Sequence, residues 1–225
     1  NAAGIPLNYL IPANDPYPHF GQLARAVTAL SSNYRALSTS VTKRLSNKWE
    51  ASATYTLGSL KDKDPCPPTA PANISKGYCG EYGYATTDQR HRAVFNAIWQ
   101  GPYDIQLSGL YFYGSGARLS TGYGRDILNS GQGAAGRFRP DLTYVPRNSF
   151  VGRPIHRVDM RLVKKLKFGN RYSIDGLAEL FNVFNHENYG AYVTAETAPN
   201  RFAPSFVSNT NYFARMAQFG FRLAF

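Results

Sequence analysis

Two acidic residues and three histidines are the side chains of this chain that best suit acid–base chemistry. Asp175 and Glu179 lie four positions apart in a segment of alternating polarity, which places both on one face of a strand. Such a pair could supply an acid and a base, but cations are expected opposite both carboxylates, which favours structural ion pairs. His91, His156 and His186 are accompanied by no serine or cysteine nucleophile motif. We therefore expect no catalytic residues.

Cys66 and Cys79 lie in one Pro-rich segment. Two thiols without neighbouring histidines make a poor zinc site, whereas an exported protein can oxidise them, so a disulfide is favoured. Residues 131–136 resemble a dinucleotide-binding loop, but the flanking sequence predicts no strand and helix around them. We expect neither a cofactor nor a metal.

The composition favours many strands separated by turns. The 225 residues include 16 Tyr, 14 Phe, 2 Trp, 20 Gly and 14 Pro. No run approaches the roughly 20 apolar residues of a membrane helix, which excludes a helical membrane protein. A β-barrel is compatible with the mean hydropathy of -0.36, because barrel strands alternate apolar and polar residues.

The net charge of +11 does not point to nucleic acid, because the basic residues are scattered instead of forming one run. Anionic lipid headgroups beside the strand ends explain a basic chain equally well. We therefore expect no nucleic-acid partner.

Six segments alternate apolar with polar residues and form three pairs joined by short turns at 46–48, 101–103 and 169–171. The pattern predicts three β-hairpins, each with one apolar face. Three-residue turns would place opposite charges across the strands on the other face. The predicted pairs are Arg44 with Glu50, Lys165 with Asp175, and Arg161 with Glu179. The same rule puts Phe95 opposite Gly109.

The charged faces of these hairpins carry too much charge for the core of a soluble protein. An Arg or Lys near the bilayer midplane costs about 2–4 kcal/mol, so the charged face is expected to line a wet lumen and the apolar face to contact lipid. Lys164 lies on the apolar face near a turn, from which it can reach the headgroups. The short-turn ends carry rings expected to form an aromatic girdle: Trp49, Trp99, Tyr103, Phe168 and Tyr172.

Long connections rich in Gly, Pro, Asn and Tyr alternate with the short turns. They span residues 61–87, 115–154 and 184–211. Short periplasmic turns and long extracellular loops are the expected asymmetry of an outer-membrane barrel, and these loops are expected to contribute to ligand capture. Three such connections are uncommon in a compact soluble domain, so a soluble carbohydrate-binding sandwich is the less favoured alternative.

The last segment, from Tyr212 to Phe225, alternates in polarity and ends on Phe. Its end resembles the C-terminal signal by which the barrel-assembly machinery recognises outer-membrane proteins. The matching residues are Gln218, Gly220, Leu223 and Phe225.

Other stretches resemble the end of TonB-dependent receptors, especially the subgroup with a carboxypeptidase-regulatory-like N-terminal domain. The stretches are Asn33–Leu37, Lys43-Arg44, Ala53–Thr56, Asp88–Arg92, Arg157–Arg161 and Leu180–His186. The resemblance implies a barrel of roughly 22 strands in the outer-membrane lipid of a Gram-negative cell. It also implies nutrient uptake energised by TonB through an N-terminal region, with no catalytic residues and an unknown ligand.

The expected fold is an all-β, antiparallel section of a transmembrane outer-membrane β-barrel with about seven to eight strands. Residues 1–33 are assigned to an extracellular loop and short arm, and residues 34–225 to the C-terminal part of the barrel. The plug and N-terminal strands are expected outside this sequence, because seven strands do not make the even number of a closed bacterial barrel. A small stand-alone barrel, acting as an anchor or adhesin, is the alternative if residues 20–30 form an eighth strand.

Overall fold

The computed structural model describes residues 31–63, 81–125, 127, 136–141, 143–169, 171–205 and 214–225, which form strands, turns and loops. The strands are β1 Ser32–Ser46, β2 Trp49–Lys63, β3 Tyr82–Tyr84, β4 His91–Gln100, β5 Ile105–Gly114, β6 Arg118–Leu119, β7 Phe150–Val151, β8 Ile155–Phe168, β9 Tyr172–Phe181 and β10 Met216–Ala224. Within these ranges there is no helix of the length and apolarity needed to cross a membrane.

Seven long strands form one antiparallel sheet in the order β1-β2-β4-β5-β8-β9-β10, and β3 pairs with the end of β2. The short strands β6 and β7 form a separate ribbon. Each long strand pairs with the next one along the chain, as consecutive antiparallel strands usually do. The predicted all-β antiparallel fold is confirmed. The long strands of the described residues form one sheet instead of the two packed layers of the sandwich alternative.

The two faces of this sheet differ in polarity. Directly opposed residues share a face, so the register places the apolar stripes of all seven strands on one side, which we call the outer face. Large side chains there are exposed, including Val41 at 69% and Phe219 at 80%. Every carboxylate of the seven strands lies on the opposite, inner face: Glu50, Asp62, Asp159, Asp175 and Glu179. An apolar surface this extended is not left in contact with water in a monomeric soluble protein.

The hairpin of β8 and β9 has the register expected from a three-residue turn. Arg161 lies opposite Glu179 and Lys165 opposite Asp175. The Nε atom of Arg161 is 3.6 Å from a carboxylate oxygen of Glu179. Asp175 lies between Lys165 and Arg222 in the ladder, yet its Oδ1 atom is buried without a hydrogen-bond partner among the described residues. One of the two expected charge pairs therefore forms as an ion pair, and the other is matched in register only.

The expected register of the hairpin of β4 and β5 is wrong by two residues. Phe95 lies opposite Tyr111 instead of Gly109. The turn is centred further along the chain, on Tyr103 and Asp104, whose φ angles are 57° and 56°. Left-handed angles at two consecutive residues are typical of the tight hairpin turns that match strand twist. Because the shift is even, every side chain keeps its expected face.

The expected charge pair of the first hairpin is wrong near its turn. The ladder follows the expected register up to Lys43 and then shifts, so Arg44 is not paired with Glu50. The turn contains only Asn47 and Lys48, with φ angles of 52° and 67°. A two-residue turn leaves one extra residue in β1, and a bulge absorbs it.

The buried side chains of the described residues lie mainly beyond the long-loop end of the sheet, whereas the strands themselves are covered little. They are Ala85, Asp88, Thr121, Arg137, Val145, Asn148, Ile155, Asn182 and Asn188. Segments expected to be loops therefore contain packed structure, including β3, β6 and β7. This packed region is the candidate functional site.

Candidate functional site

Segments from all three long connections pack together at one end of the sheet. We call the described parts of residues 81–90, 115–125, 136–153 and 182–205 the loop assembly. Its backbones approach closely: the amide of Gly122 donates to the carbonyl of Thr194 over 3.1 Å. A Cβ atom at Gly116 would lie 1.8 Å from the carbonyl oxygen of Gly152, so only glycine fits there. The loops are positioned by direct backbone contact with one another.

Asp88 joins the first loop to the sheet and to the second loop. Its side chain accepts hydrogen bonds from the amide of Leu60 at 2.6 Å and from Nε of Arg118 at 2.7 Å. The residue is 3% exposed, and the guanidinium of Arg118 lies 3.5 Å above the ring of Tyr84. Burial of this kind requires a paired charge, because an unpaired carboxylate loses its hydration. Asp88 is therefore a central anchor of the assembly.

Glu81 accepts hydrogen bonds from two residues of the second loop. The guanidinium of Arg137 forms an ion pair with it, and the amide of Arg147 donates to its other oxygen over 2.9 Å. Arg147 also forms an ion pair with Asp62 at the end of β2. Burial lowers the pKa of Arg147, and its Nε atom has no hydrogen-bond partner within the described residues. These ion pairs join segments that are distant in sequence.

The second and third loops are connected by Arg139 and Glu196. Two guanidinium nitrogens of Arg139 donate to the two carboxylate oxygens of Glu196, each over 2.8 Å. Bidentate pairs of this geometry are among the stronger hydrogen bonds in proteins. The hydrogen bond from Arg139 lowers the pKa of Glu196.

This pair predicts acid-sensitive contact between the two loops. Because the folded pKa of Glu196 is lowered, its stabilisation is present above the ordinary glutamate pKa and is lost as pH falls through the folded value. Amide hydrogen exchange of residues 194–197, corrected for intrinsic rates, should accelerate on acidification. Glu196→Gln should show the faster exchange already at neutral pH, whereas Glu187→Gln, an exposed change in the third loop, should not. Equal protection in Glu196→Gln and the unmodified protein would contradict this account.

Two buried asparagines hold the turn that follows β9. The side-chain oxygen of Asn188, which is 0% exposed, accepts from the amide of His156 at 2.8 Å, and its nitrogen donates to the carbonyl of the same residue at 2.9 Å. Asn182 makes a similar exchange with the backbone of His186, at 3.0 Å in both directions. Asn188 thus satisfies both backbone groups at the start of β8, as a neighbouring strand would.

Replacing Asn188 by alanine should destabilise the fold by about 1–3 kcal/mol, because the backbone groups of His156 would be buried without partners. Urea unfolding in detergent micelles, followed by tryptophan fluorescence, measures the change. Asn200→Ala, an exposed change in the same loop, serves as the control and should leave the midpoint unchanged. Equal midpoints for the two variants would show that the Asn188 side chain has no anchoring role.

The sheet and its loops can be compared with known protein families. A family described as "Outer membrane beta barrel domain" matches residues 6–144, which is more than half of the chain. The chain belongs to the outer-membrane β-barrel family. No curated protein sequence and no solved structure matches it significantly.

Membership of the outer-membrane barrel family accounts for the exposed outer face. A barrel wall is one sheet thick, so each strand has lipid on one side and the lumen on the other. The predicted location in the outer membrane is confirmed. The apolar stripes therefore contact lipid, which explains why large side chains on the strands are exposed in the isolated chain.

The rings expected to form an aromatic girdle lie at the short-turn end of this barrel section. Trp49 is opposite Trp99, Phe168 is opposite Tyr172, and Tyr103 is in the second turn. All five are exposed. Their function as a membrane girdle stays a prediction. Lys164 on the outer face donates to the carbonyl of Tyr103, so this cation is held at the level of the turns.

The residues of the expected assembly signal lie at the C-terminal edge of the sheet. Gln218 is opposite Glu179, Gly220 opposite Leu177 and Leu223 opposite Ile174, all in β10. Phe225 follows the strand and is 93% exposed. Recognition by the assembly machinery stays a prediction. Cys66 and Cys79 lie outside the described residues, so the structure does not address their bonding.

Sequence reasoning missed the anchors of the loop assembly. Asp88 belongs to a stretch that resembles the receptor family, and that resemblance was its only signal. Glu81, Arg118 and Arg137 lie in segments without periodicity. Their ion pairs connect residues separated by up to 56 positions, for which a local pattern carries no information.

Proposed function

We propose that this chain is the C-terminal barrel section of a TonB-dependent receptor that imports a scarce nutrient, with the loop assembly as the surface that captures the ligand. The stretches that resemble this receptor family support the proposal, and several of them have defined structural roles. Asp88 anchors the first loop, and Asn182 holds the turn after β9. The role proposed is binding and transport, without catalysis.

The observation that carries the proposal is the packing of three long loops into one unit. Buried ion pairs, such as Arg118 with Asp88, hold side chains from separate loops in fixed positions. A surface ordered before the ligand arrives loses less entropy on binding. Loops that served only to join strands would not need buried charge pairs between them.

The directions of the edge strands support a larger barrel. The sheet has β1 and β10 at its edges, and an odd number of antiparallel strands makes these two run in the same direction. An antiparallel barrel can close between them only through an odd number of further strands. We propose that such strands, a lumen plug and the TonB-contacting segment belong to the full-length receptor.

Uptake by intact cells tests the proposed function. Cells making the full-length gene product would be given ferric siderophores, cobalamin and oligosaccharides, with and without functional TonB. We expect one ligand class to be bound in both strains and accumulated only when TonB is present. Accumulation that does not depend on TonB would contradict receptor function. Binding to surfaces without accumulation of any ligand would favour the alternative of an anchor or adhesin.

A further inference from the structure

A groove of about 330 Å³ lies on the outer face, where the sheet meets the loop assembly. It is lined by Tyr111, His156, Val158, Asn182, Phe184 and His186. The volume is at the lower end of the roughly 300–1,000 Å³ of small-molecule pockets. The register places Tyr111, His156 and Val158 on the face that contacts lipid. Lipid is therefore the surrounding medium of this groove.

One part of the groove is apolar. Val158 lies opposite Tyr111 in the ladder, and Phe184 leaves the turn after β9 with 76% of its surface exposed. A phenylalanine ring this exposed is unfavourable in water and is stabilised by contact with an acyl chain. The shape of the groove thus offers an apolar track that begins at the sheet.

The other part of the groove carries two imidazoles. The rings of His156 and His186 are 5.0 Å apart. Nδ1 of His156 contacts the hydroxyl of Tyr111 at 3.1 Å, and Nδ1 of His186 contacts Oδ1 of Asn188 at 3.1 Å. The orientation of the Asn188 amide is set by its two bonds to the backbone of His156. Both rings are thereby held in place, and neither Nε2 atom has a hydrogen bond among the described residues.

The charge around the groove favours an anion. The outer face of the seven long strands has no carboxylate, and several of its basic residues lie at the same end of the sheet as the loop assembly: Arg35, Lys61, Lys63, His91 and His156. Arg215 donates to the carbonyl of Val183 at 3.3 Å, next to Phe184. The groove therefore combines an apolar track with cationic or hydrogen-bonding nitrogen groups at the level of the lipid headgroups.

We propose that this groove holds one phosphate-bearing lipid from the leaflet beside the loop assembly. Its acyl chain lies along Val158 and Phe184, and its phosphate accepts a hydrogen bond from Nε2 of His156. His186, whose Nδ1 donates to Oδ1 of Asn188, packs against the ring of His156. The site goes beyond nutrient capture, because it lies on the lipid-facing side of the wall and does not depend on a transported ligand.

Native mass spectrometry of the full-length, detergent-solubilised protein tests the proposal. Phosphatidic acid and diacylglycerol with identical chains differ only in the phosphate. We expect one molecule of phosphatidic acid to bind with about tenfold higher affinity than diacylglycerol, since hydrogen bonds to a charged group contribute about 1.5–3 kcal/mol. Replacing both His156 and His186 by alanine should remove this preference.

His91 provides the matched control. It stacks on Tyr55 with a centroid distance of 6.2 Å and an angle of 27°, almost the geometry of His156 on Tyr111 at 6.3 Å and 28°. His91→Ala should therefore leave lipid retention unchanged. His156→Gln with His186→Gln supplies a second test if the alanine variant does not fold, with heat-dependent gel mobility as the measure of folding.

Three results would overturn the proposal. They are a loss of phosphatidic acid retention in His91→Ala equal to that in the double variants, retention of phosphatidic acid by both double variants, or displacement of the lipid by millimolar inorganic phosphate. The last result would assign the site to free phosphate. TonB-dependent accumulation should persist in the double variants, so failure of the lipid site and failure of the proposed receptor function are separable.

Discussion

Replacing Asp88 by alanine should destabilise the folded protein by about 3–5 kcal/mol, the usual effect of breaking a buried ion pair from one side. The change removes the acceptor of Leu60 N and Arg118 Nε. It leaves the guanidinium of Arg118, whose side chain is 14% exposed, without its carboxylate partner. The first and second loops should separate from the end of β2, and unfolding in urea should shift to lower concentration.

The control for this change is Asp141→Ala in the second loop. Asp141 is exposed and accepts hydrogen bonds only from Thr143, two residues away, among the contacts of the described chain. The Asp141→Ala substitution should leave the urea midpoint of unfolding unchanged. A midpoint for Asp88→Ala equal to that of Asp141→Ala would show that the loop assembly does not depend on this anchor.

Leu162→Arg should cost about 2–4 kcal/mol of folding free energy in a lipid bilayer, because it places a cation on the lipid side of the wall. Leu162 is near the middle of β8 and opposite Leu107 and Ala178, all on the outer face. Reversible unfolding in vesicles, followed by tryptophan fluorescence, measures this cost.

Leu177→Arg is a matched change on the other face. Leu177 is in β9, next to Ala178, which lies opposite Leu162. The side chain of Leu177 lies on the inner face, between those of Asp175 and Glu179. The new cation would enter the lumen beside two carboxylates, so we expect a much smaller loss of stability. Equal losses for the two leucine variants would contradict the assignment of lipid and lumen faces.

The barrel wall was largely predictable because its signals are local. Alternation over each strand determines which side chains share a face, and a turn of known length then determines the register. The register of β8 with β9 followed directly from the three-residue turn before Tyr172. Where the prediction was wrong, the cause was turn chemistry: Lys48 and Tyr103 adopt left-handed φ angles that these residue types rarely adopt.

The loop assembly was not predictable because its contacts are distant in sequence. Arg147 and Asp62 are 85 positions apart, and Arg147 belongs to no repeating pattern. Asn188 bonds to the backbone of His156 in place of a neighbouring strand. The sequence alone does not distinguish Asn188 from the other polar residues of the loops. The sequence therefore predicts that long loops exist, but not which of their charges meet.

The central claim is that this sheet is a barrel wall with lipid on its outer face and water on its inner face. Single spin labels at residues 92–99 of β4, with Cys66 and Cys79 replaced by serine, test it in reconstituted full-length protein. We predict high oxygen accessibility at positions 93, 95, 97 and 99 and high accessibility to a water-soluble nickel chelate at the positions between them. Equal access of the nickel chelate to both sets would contradict the claim.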